Sequence, residues 1–350
     1  MITKVVKIDK NTTKYKAEID FAANVIRNGG LVVFPTETVY GLGGDGTNPE
    51  AAKRIYEAKG RPSDNPLIIH IAKPSDAEKY TYTTPLYYKL AERFMPGPLT
   101  VIMKAKEVIP SQTRAALPTV AVRCPENPIA RELIKAAGVP IAAPSANLSG
   151  SPSPTTAQHV IDDMSGRVEV IIDGGDADFG LESTIVKLDE DGGVTLLRPG
   201  RITTEDLLSV CPEVRIAKAV LDKLEEGEVA LSPGMKYRHY APKAPLFLYE
   251  GGAIKLAEFI KKEKQGKSIA VLAYKSDLEI IKDRTDEVFV YEFGDRNDEL
   301  LCAHLLFSIL RDADKRGFDE IYAPLPDKNG IGLALYNRMI RAAAHQILRL

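Results

Sequence analysis

The chain has 350 residues, with 46 Lys and Arg against 48 Asp and Glu, and only three cysteines. That length allows a substantial core and two domains, and a formal charge of -2 provides no general basic field for nucleic acid or lipid, so any anion site has to be local. Cys124, Cys211 and Cys302 are too scattered for a disulfide framework or zinc-ligand spacing, which suits a reduced cytoplasmic chain. The opening MITKVVKIDKNTTK is charged throughout, unlike a signal peptide, and no apolar run approaches the length of a membrane span.

In chain order, residues 4–8 read as a strand and 17–28 as a helix stopped by Gly29-Gly30. The apolar run Leu31-Val32-Val33-Phe34 reads as a buried strand. Pro35 ends it, having no N–H for the ladder. A polar group follows (Thr36, Glu37, Thr38, Tyr40), and then Gly41, Gly43, Gly44 and Gly46, where the backbone is expected to turn tightly or approach a ligand. Residues 51–58 form a helix stopped at Gly60, and 67–71 a second buried strand. Lys59 and Arg61 are expected as loop cations between them, beside Asn65 and His70. Polar groups at strand ends suit a ligand crevice in an open α/β sheet. This set suits a small anionic ligand with a polar piece beside it.

Helices are expected at 75–79, 85–94, 128–137 and 155–163. Strands are expected at 100–104, 119–125 and 168–173, with further ones beginning near Glu182 and ending near Arg198. Arg123 stands near the end of one strand. Residues 138–150 are a strand-to-loop junction of small residues with Ser145 and Asn147 as its polar outputs. Residues 212–245 read as an extended, Pro/Gly-bracketed linker carrying SPGMKYRHYAP. From 246 onward, strands at 246–250, 268–274, 288–293 and 318–323 alternate with helices at 253–264, 277–282, 298–315 and 332–350. That alternation implies a parallel sheet with covered faces. The expected domains are therefore 1–211 and 246–350, both α/β.

Each candidate also has an ordinary reading. Lys59 and Arg61 could be solvated charges at a helix end. His70 in an apolar strand is more often a core residue than a catalyst. Ser145, Asn147, Thr36 and Thr38 are turn formers, and Glu37 could be a general base or metal ligand. Arginines recurring at strand ends, Arg123 and Arg198, favour an anion site, because a planar guanidinium matches phosphate and carboxylate. There is no G-x-x-x-x-G-K-[ST] loop, G-x-S-x-G elbow or H-E-x-x-H helix, and GLGGDG has the wrong spacing for a dinucleotide fingerprint.

Six segments in order (PTETVYGLG, KGRPSDNPL, PGPLT, VRCP, APSANLSG and ESTIV) resemble the YrdC-like threonylcarbamoyl-AMP synthases. SPGMKYRHYAP followed by an α/β tail is similar to their long, two-domain Sua-type form, and the likeness covers essentially the whole chain. It implies a twisted open α/β sheet domain with a concave positive cavity, a Rossmann-like parallel C-terminal domain, and a linker reaching over the cavity.

The resemblance also implies an activity. L-threonine, bicarbonate or CO2, and ATP (with Mg2+ held largely by phosphates and water) would give threonylcarbamoyl-AMP and pyrophosphate. The product would pass to downstream tRNA-modification proteins. On the same resemblance Lys59, Arg61, Asn65, Thr119, Ser145, Asn147, Ser153 and Arg198 line the nucleotide side, with Lys59 and Arg61 nearest the chemistry. Thr38, His70, Arg123, Ala143 and Ser183 hold threonine, Tyr237 and Tyr240 cap the site, and no protein metal ligand is implied. The alternative from another class is an RNA-binding module of the same shape. The slightly negative net charge disfavours this as a main role and leaves at most weak RNA binding.

Overall fold

The structure, a computed structural model, describes residues 1–9, 15–222, 239–264, 266–285 and 288–350. It divides into two compact units, Met1–Ser149 with Ser153–Tyr237, and Gly150–Pro152 with Arg238–Leu350. Among the described residues no helix is long and apolar enough to cross a membrane.

The first unit is built on a mixed sheet. Its strands in chain order are Lys4–Lys7 (β1), Val32–Phe34 (β2), Gly41–Asp45 (β3), Ile68–His70 (β4), Leu99–Lys104 (β5), Thr119–Arg123 (β6), Ile141–Ala142 (β7), Val170–Asp173 (β8), Thr184–Leu188 (β9), Val194–Arg198 (β10) and Val214–Ile216 (β11). Across the sheet they run β1-β8-β2-β3-β7-β4-β6-β5-β9-β10-β11. The helices are Lys16–Arg27 (α1), Pro49–Lys59 (α2), Pro85–Phe94 (α3), Pro128–Ala137 (α4), Ala157–Met164 (α5) and Thr204–Leu208 (α6).

Local chemistry sets the helix ends that frame the site. The Asn48 side chain accepts from the amides of Glu50 and Ala51, Pro49 opens α2, and Gly60 closes it at φ 61. The same devices recur in α4: Asn127 accepts from Ile129 and Ala130, Pro128 follows, and Gly138 ends the helix at φ 72. An asparagine N-cap, proline at the first helical position and a left-handed glycine are each the favoured choice at those places. One apolar cluster then joins α1 and α4 to the sheet. It includes Ile19, Ile26, Phe34, Ile129, Leu133, Ile141 and Val170, all buried.

Three expectations need correction. The glycine run does not form a ligand-hugging turn, because Gly41–Asp45 is the strand β3, paired antiparallel with both β2 and β7. The glycines are there for close packing: a Cβ on Gly43 would lie 2.6 Å from Ile141 Cγ2 and 2.7 Å from Phe34 Cε1. Period-2 reasoning misses such a strand, because it has almost no side chains to alternate. Secondly, part of the supposed linker belongs to the sheet. Val214–Ile216 pairs parallel with β10 as the last strand, since the outer edge of β10 offers unpaired backbone groups. Residues 223–238, which include Tyr237 and most of SPGMKYRHYAP, lie outside the described residues.

The third correction concerns the C-terminus. The second unit has the parallel strands Leu246–Glu250 (β12), Ile269–Ala273 (β13), Val288–Glu292 (β14), Glu320–Pro324 (β15) and Ile347–Arg349 (β16), ordered β14-β13-β15-β12-β16. The last helix, Gly330–Ala342, stops well before Leu350. Ala344 and His345 take positive φ values of 49° and 65°, and the chain reverses to pair Ile347 with Leu248 on the free edge of β12. A left-handed pair of non-glycine residues is hard to anticipate. The parallel α/β architecture is otherwise as expected.

Gly43→Ala tests the close-packing reading. It is expected to lower unfolding free energy by about 1–3 kcal/mol, the usual cost of overpacking a filled core, read as a shifted denaturation midpoint with the urea slope unchanged.

Candidate functional site

Register places the polar groups. His70 on β4 pairs with Arg123 on β6, Arg123 with Thr100 on β5, Thr100 with Ile185 on β9, and Ile185 with Arg198 on β10. One transverse row thus gathers residues that are far apart in sequence. The row is stitched by side chains as well. The Thr100 and Ser183 hydroxyls are 2.7 Å apart. Arg198 donates from Nη2 to Ser183 Oγ at 3.1 Å and from Nε to the Ser183 carbonyl at 2.9 Å.

Beside this row the loops are tied to one another. The Tyr40 amide donates to the Pro154 carbonyl at 3.0 Å, and the Tyr40 carbonyl accepts from Ala146 at 2.8 Å. The carbonyls of Glu37 and Thr38 accept from the amides of Phe179 and Gly180 at 2.8 and 3.1 Å. Ser153 Oγ donates to the Glu182 carboxylate. The segments 36–40, 143–147, 153–155 and 179–183 therefore converge, which brings Thr38, Ala143, Ser145, Asn147, Ser153 and Ser183 to one region. Ala143 is itself fixed by its amide donating to the Ile68 carbonyl at 2.8 Å.

Lys59 belongs to the helix and not to the loop after it. It is the last residue of α2 and only 3% exposed. Its Nζ donates to the carbonyls of Ser145 and Asn147, the latter at 2.5 Å. A buried ammonium needs such acceptors, since an unsolvated charge is costly. Arg61 is also buried, and its Nη2 donates to the carbonyls of Asn65 and Pro66 at 3.2 and 3.3 Å. Asn65 is buried, and neither its Oδ1 nor its Nδ2 has a hydrogen-bond partner. Buried amide groups are nearly always satisfied, so these two atoms stand out among the described residues. Thr119 stands apart at the far end of β6, about 13 Å from Arg123 at a strand rise of about 3.3 Å per residue.

Arg123 and Glu37 form a buried ion pair with Nη2 and Oε1 2.6 Å apart. The other Glu37 oxygen accepts from the amides of Glu126 at 3.2 Å and Asn127 at 3.4 Å. Both oxygens are therefore engaged within the protein. Arg123 Nε remains buried with no acceptor.

Burial, with the Arg123 charge second, pushes the His70 imidazole down to about 3. It is neutral at ordinary pH. Its Nδ1 lies 3.3 Å from the Ile141 carbonyl. A carbonyl can only accept, so the proton sits on Nδ1 and Nε2 presents a lone pair. Burial likewise pushes the Cys124 thiol up to about 11, which keeps it an unreactive core group. Among the described residues no group of three or more His, Cys, Asp or Glu could hold a metal ion.

Two contributors escaped sequence reasoning. Thr100 and Glu182 enter through contacts with Ser183 and Ser153; the signal that could have found them is their place in the PGPLT and ESTIV segments. Tyr240 belongs to the second unit. It is buried there, its ring 5.4 Å from Phe307 and 5.5 Å from the Arg338 guanidinium.

The arrangement is a cluster of buried polar and cationic side chains at the strand ends of a mixed α/β sheet. Comparison with known proteins gives it a family. Residues 24–200 match the family model described as "Telomere recombination", and residues 202–344 match "Threonylcarbamoyl-AMP synthase, C-terminal domain". The chain is 44% identical to a threonylcarbamoyl-AMP synthase of Pyrococcus abyssi over 99% of its own length and all of the relative. It is 43% identical to that of Bacillus subtilis, covering 95% of this chain and 94% of the relative. The solved structure of P. abyssi Sua5 complexed with L-threonine superposes with a TM-score of 0.90 at 43% identity, covering 99% of this chain and 100% of the other. The chain belongs to the two-domain threonylcarbamoyl-AMP synthase family.

The His70 environment makes a pH prediction. Its folded pKa is depressed to about 3 from an ordinary value of 6.5, so the unfolded chain takes up the proton first. The protein therefore loses stability as pH falls from 6.5 towards 3, by at most about 1.4 kcal/mol per pH unit from this group. His70→Gln is expected to flatten that part of the stability–pH profile. In the wild type the His70 imidazole resonances should not titrate between pH 5 and 8.

Proposed function

We propose that the chain makes L-threonylcarbamoyl-AMP and pyrophosphate from L-threonine, bicarbonate or CO2, and ATP, acting as a nucleotidyltransferase. What supports this most is the near-full-length likeness to enzymes of that name. The Arg123–His70–Thr100–Arg198 row supplies a chemically suitable site.

In this reading Arg123 meets the threonine carboxylate with a donor that is otherwise unpartnered, a charge-assisted contact. Neutral His70 can accept from the hydroxyl or amine through Nε2, while Thr38, Ala143 and Ser183 shape the rest of the amino-acid pocket. The adenine nucleotide lies along Lys59, Arg61, Asn65, Ser145, Asn147, Ser153 and Arg198, with Thr119 at its margin. Buried Asn65 recognises a polar edge of that ligand. A Mg2+ ion arrives with ATP and is held by phosphate oxygens and water.

The chemistry asks little acid–base work of the protein. The threonine ammonium first gives a proton to solvent, and the uncharged nitrogen then attacks CO2 and gives a second proton to solvent to leave a carbamate. A carbamate oxygen then attacks the α-phosphorus, the bond to the β-phosphate oxygen breaks, and pyrophosphate leaves. The positive charges of Lys59, Arg61 and Arg198 stabilise the charge developing on the departing oxygens. Placing the two substrates side by side supplies the rest, since the carbamate is short-lived in water. The product then goes to downstream tRNA-modification proteins, and a cytoplasmic location suits that supply.

Pyrophosphate release should require ATP, bicarbonate and threonine together, and mass spectrometry of the mixture should find threonylcarbamoyl-AMP. Release that is independent of threonine would end the proposal. Arg61→Ala should lower kcat/KM for ATP about 100-fold, as loss of a transition-state charge contact typically does. Lys59→Ala should do the same and also lower the melting temperature, because Lys59 holds two buried carbonyls.

A further inference from the structure

The buried carboxylate of Glu37 has no role in the family likeness described above. We propose that Glu37 is a positioning residue that sets the Arg123 guanidinium for the amino-acid carboxylate, and so fixes affinity for the amino-acid substrate. This rests on the reading of Arg123 as the threonine-carboxylate partner.

Three observations lead to it. First, the ion pair is short and buried: Arg123 Nη2 to Glu37 Oε1 is 2.6 Å, with the two side chains 5% and 8% exposed. A charge pair so far from water is held in one geometry only when its remaining lone pairs are satisfied. Here they are, by the amides of Glu126 and Asn127 on the second oxygen. Secondly, those amides belong to the segment that leaves β6 directly after Arg123 and enters α4. Glu37 therefore grips both the guanidinium and the backbone that carries it. Thirdly, Arg123 Nε is buried without an acceptor. The guanidinium is planar, so anchoring one nitrogen fixes where the others point. Glu37 fixes the plane and leaves a donor for the substrate.

The contact on the other side of Glu37 fits the same role. Its neighbour Thr38 lies in the amino-acid pocket, and the carbonyls of Glu37 and Thr38 are pinned by Phe179 and Gly180. The carboxylate is thus held on a stiff loop. There is also an electrostatic consequence. Glu37 neutralises Arg123, so an arriving zwitterion adds no net charge to the buried site. An amino acid with a blocked or absent amine would bring a second uncompensated carboxylate to the pair. Glu37 therefore favours substrates that carry their own amine.

Glu37→Gln keeps the shape and removes the charge. It is expected to raise the threonine KM, and the Kd from calorimetry, about tenfold or more, the usual effect of removing the partner that orients a ligand-binding side chain. The ATP KM should stay within about twofold. Arg123→Lys should weaken threonine binding by itself, and adding Glu37→Gln to it should cost nothing further, because the two act through one contact. If Glu37→Gln does not fold, Glu37→Asp, which withdraws the charge by one methylene, carries the same expectation. A folded variant with unchanged threonine affinity would overturn the proposal. Equal losses for threonine and ATP, or additive losses in the double variant, would do the same. The underlying reading fails separately: wild-type protein that does not bind threonine, or Arg123→Lys that binds it normally, would remove Arg123 from the carboxylate and Glu37 with it.

Discussion

The structure depends on how it keeps charge inside the first unit. Lys59, Arg61, Arg123 and Arg198 are all buried, and a buried cation left without acceptors would drive the site apart or lose its proton. Each has its own acceptors. Backbone carbonyls from the 145–147 loop surround the Lys59 ammonium. Arg61 uses the carbonyls just beyond it, Arg198 uses Ser183, and Arg123 has Glu37. Backbone carbonyls figure largely among these acceptors, and they hold the side chains in fixed positions. Cations held in this way suit a ligand carrying several negative charges.

The sheet is what brings the cations together. Neighbouring strands pair in a register that aligns His70, Arg123, Thr100, Ile185 and Arg198, although they come from positions as far apart as 70 and 198. Close strand packing is a condition for this. The glycine strand β3 lets Phe34 and Ile141 close over it, and the loop after β7 then delivers Ser145 and Asn147 to the end of α2. A bulkier residue in β3 would lift that loop away from Lys59. The caps of α2 and α4 act in the same way, because they fix where the chain leaves the helix carrying Lys59 and enters the helix after Arg123.

In the proposed reading, the neutral imidazole and the paired guanidinium would divide the work of recognising a small zwitterion. A protonated histidine beside Arg123 would repel the substrate amine and add an unmatched charge to the buried site. Burial prevents that, and the Ile141 carbonyl selects the tautomer. Glu37 prevents the opposite failure, in which Arg123 would fold back to find another acceptor. The pocket is therefore preorganised by electrostatics as much as by shape.

Much was legible in the chain itself. The apolar runs, the Asn-Pro and Gly signals at helix ends and the alternation after residue 246 determined the class of fold. The six ordered motifs determined the family and named most of the polar residues that converge. Local sequence could not determine that Lys59 is buried, or that Glu37 spends both oxygens on Arg123 and on backbone amides. Nor could it identify Gly41–Asp45 and Ile347–Arg349 as strands. The reason is physical. Capping and periodicity act between residues a few positions apart and leave their mark in order along the chain. Burial, register and ion pairing act between residues brought together only by the finished sheet, and the same Glu or Lys is compatible with many partners until the fold selects one.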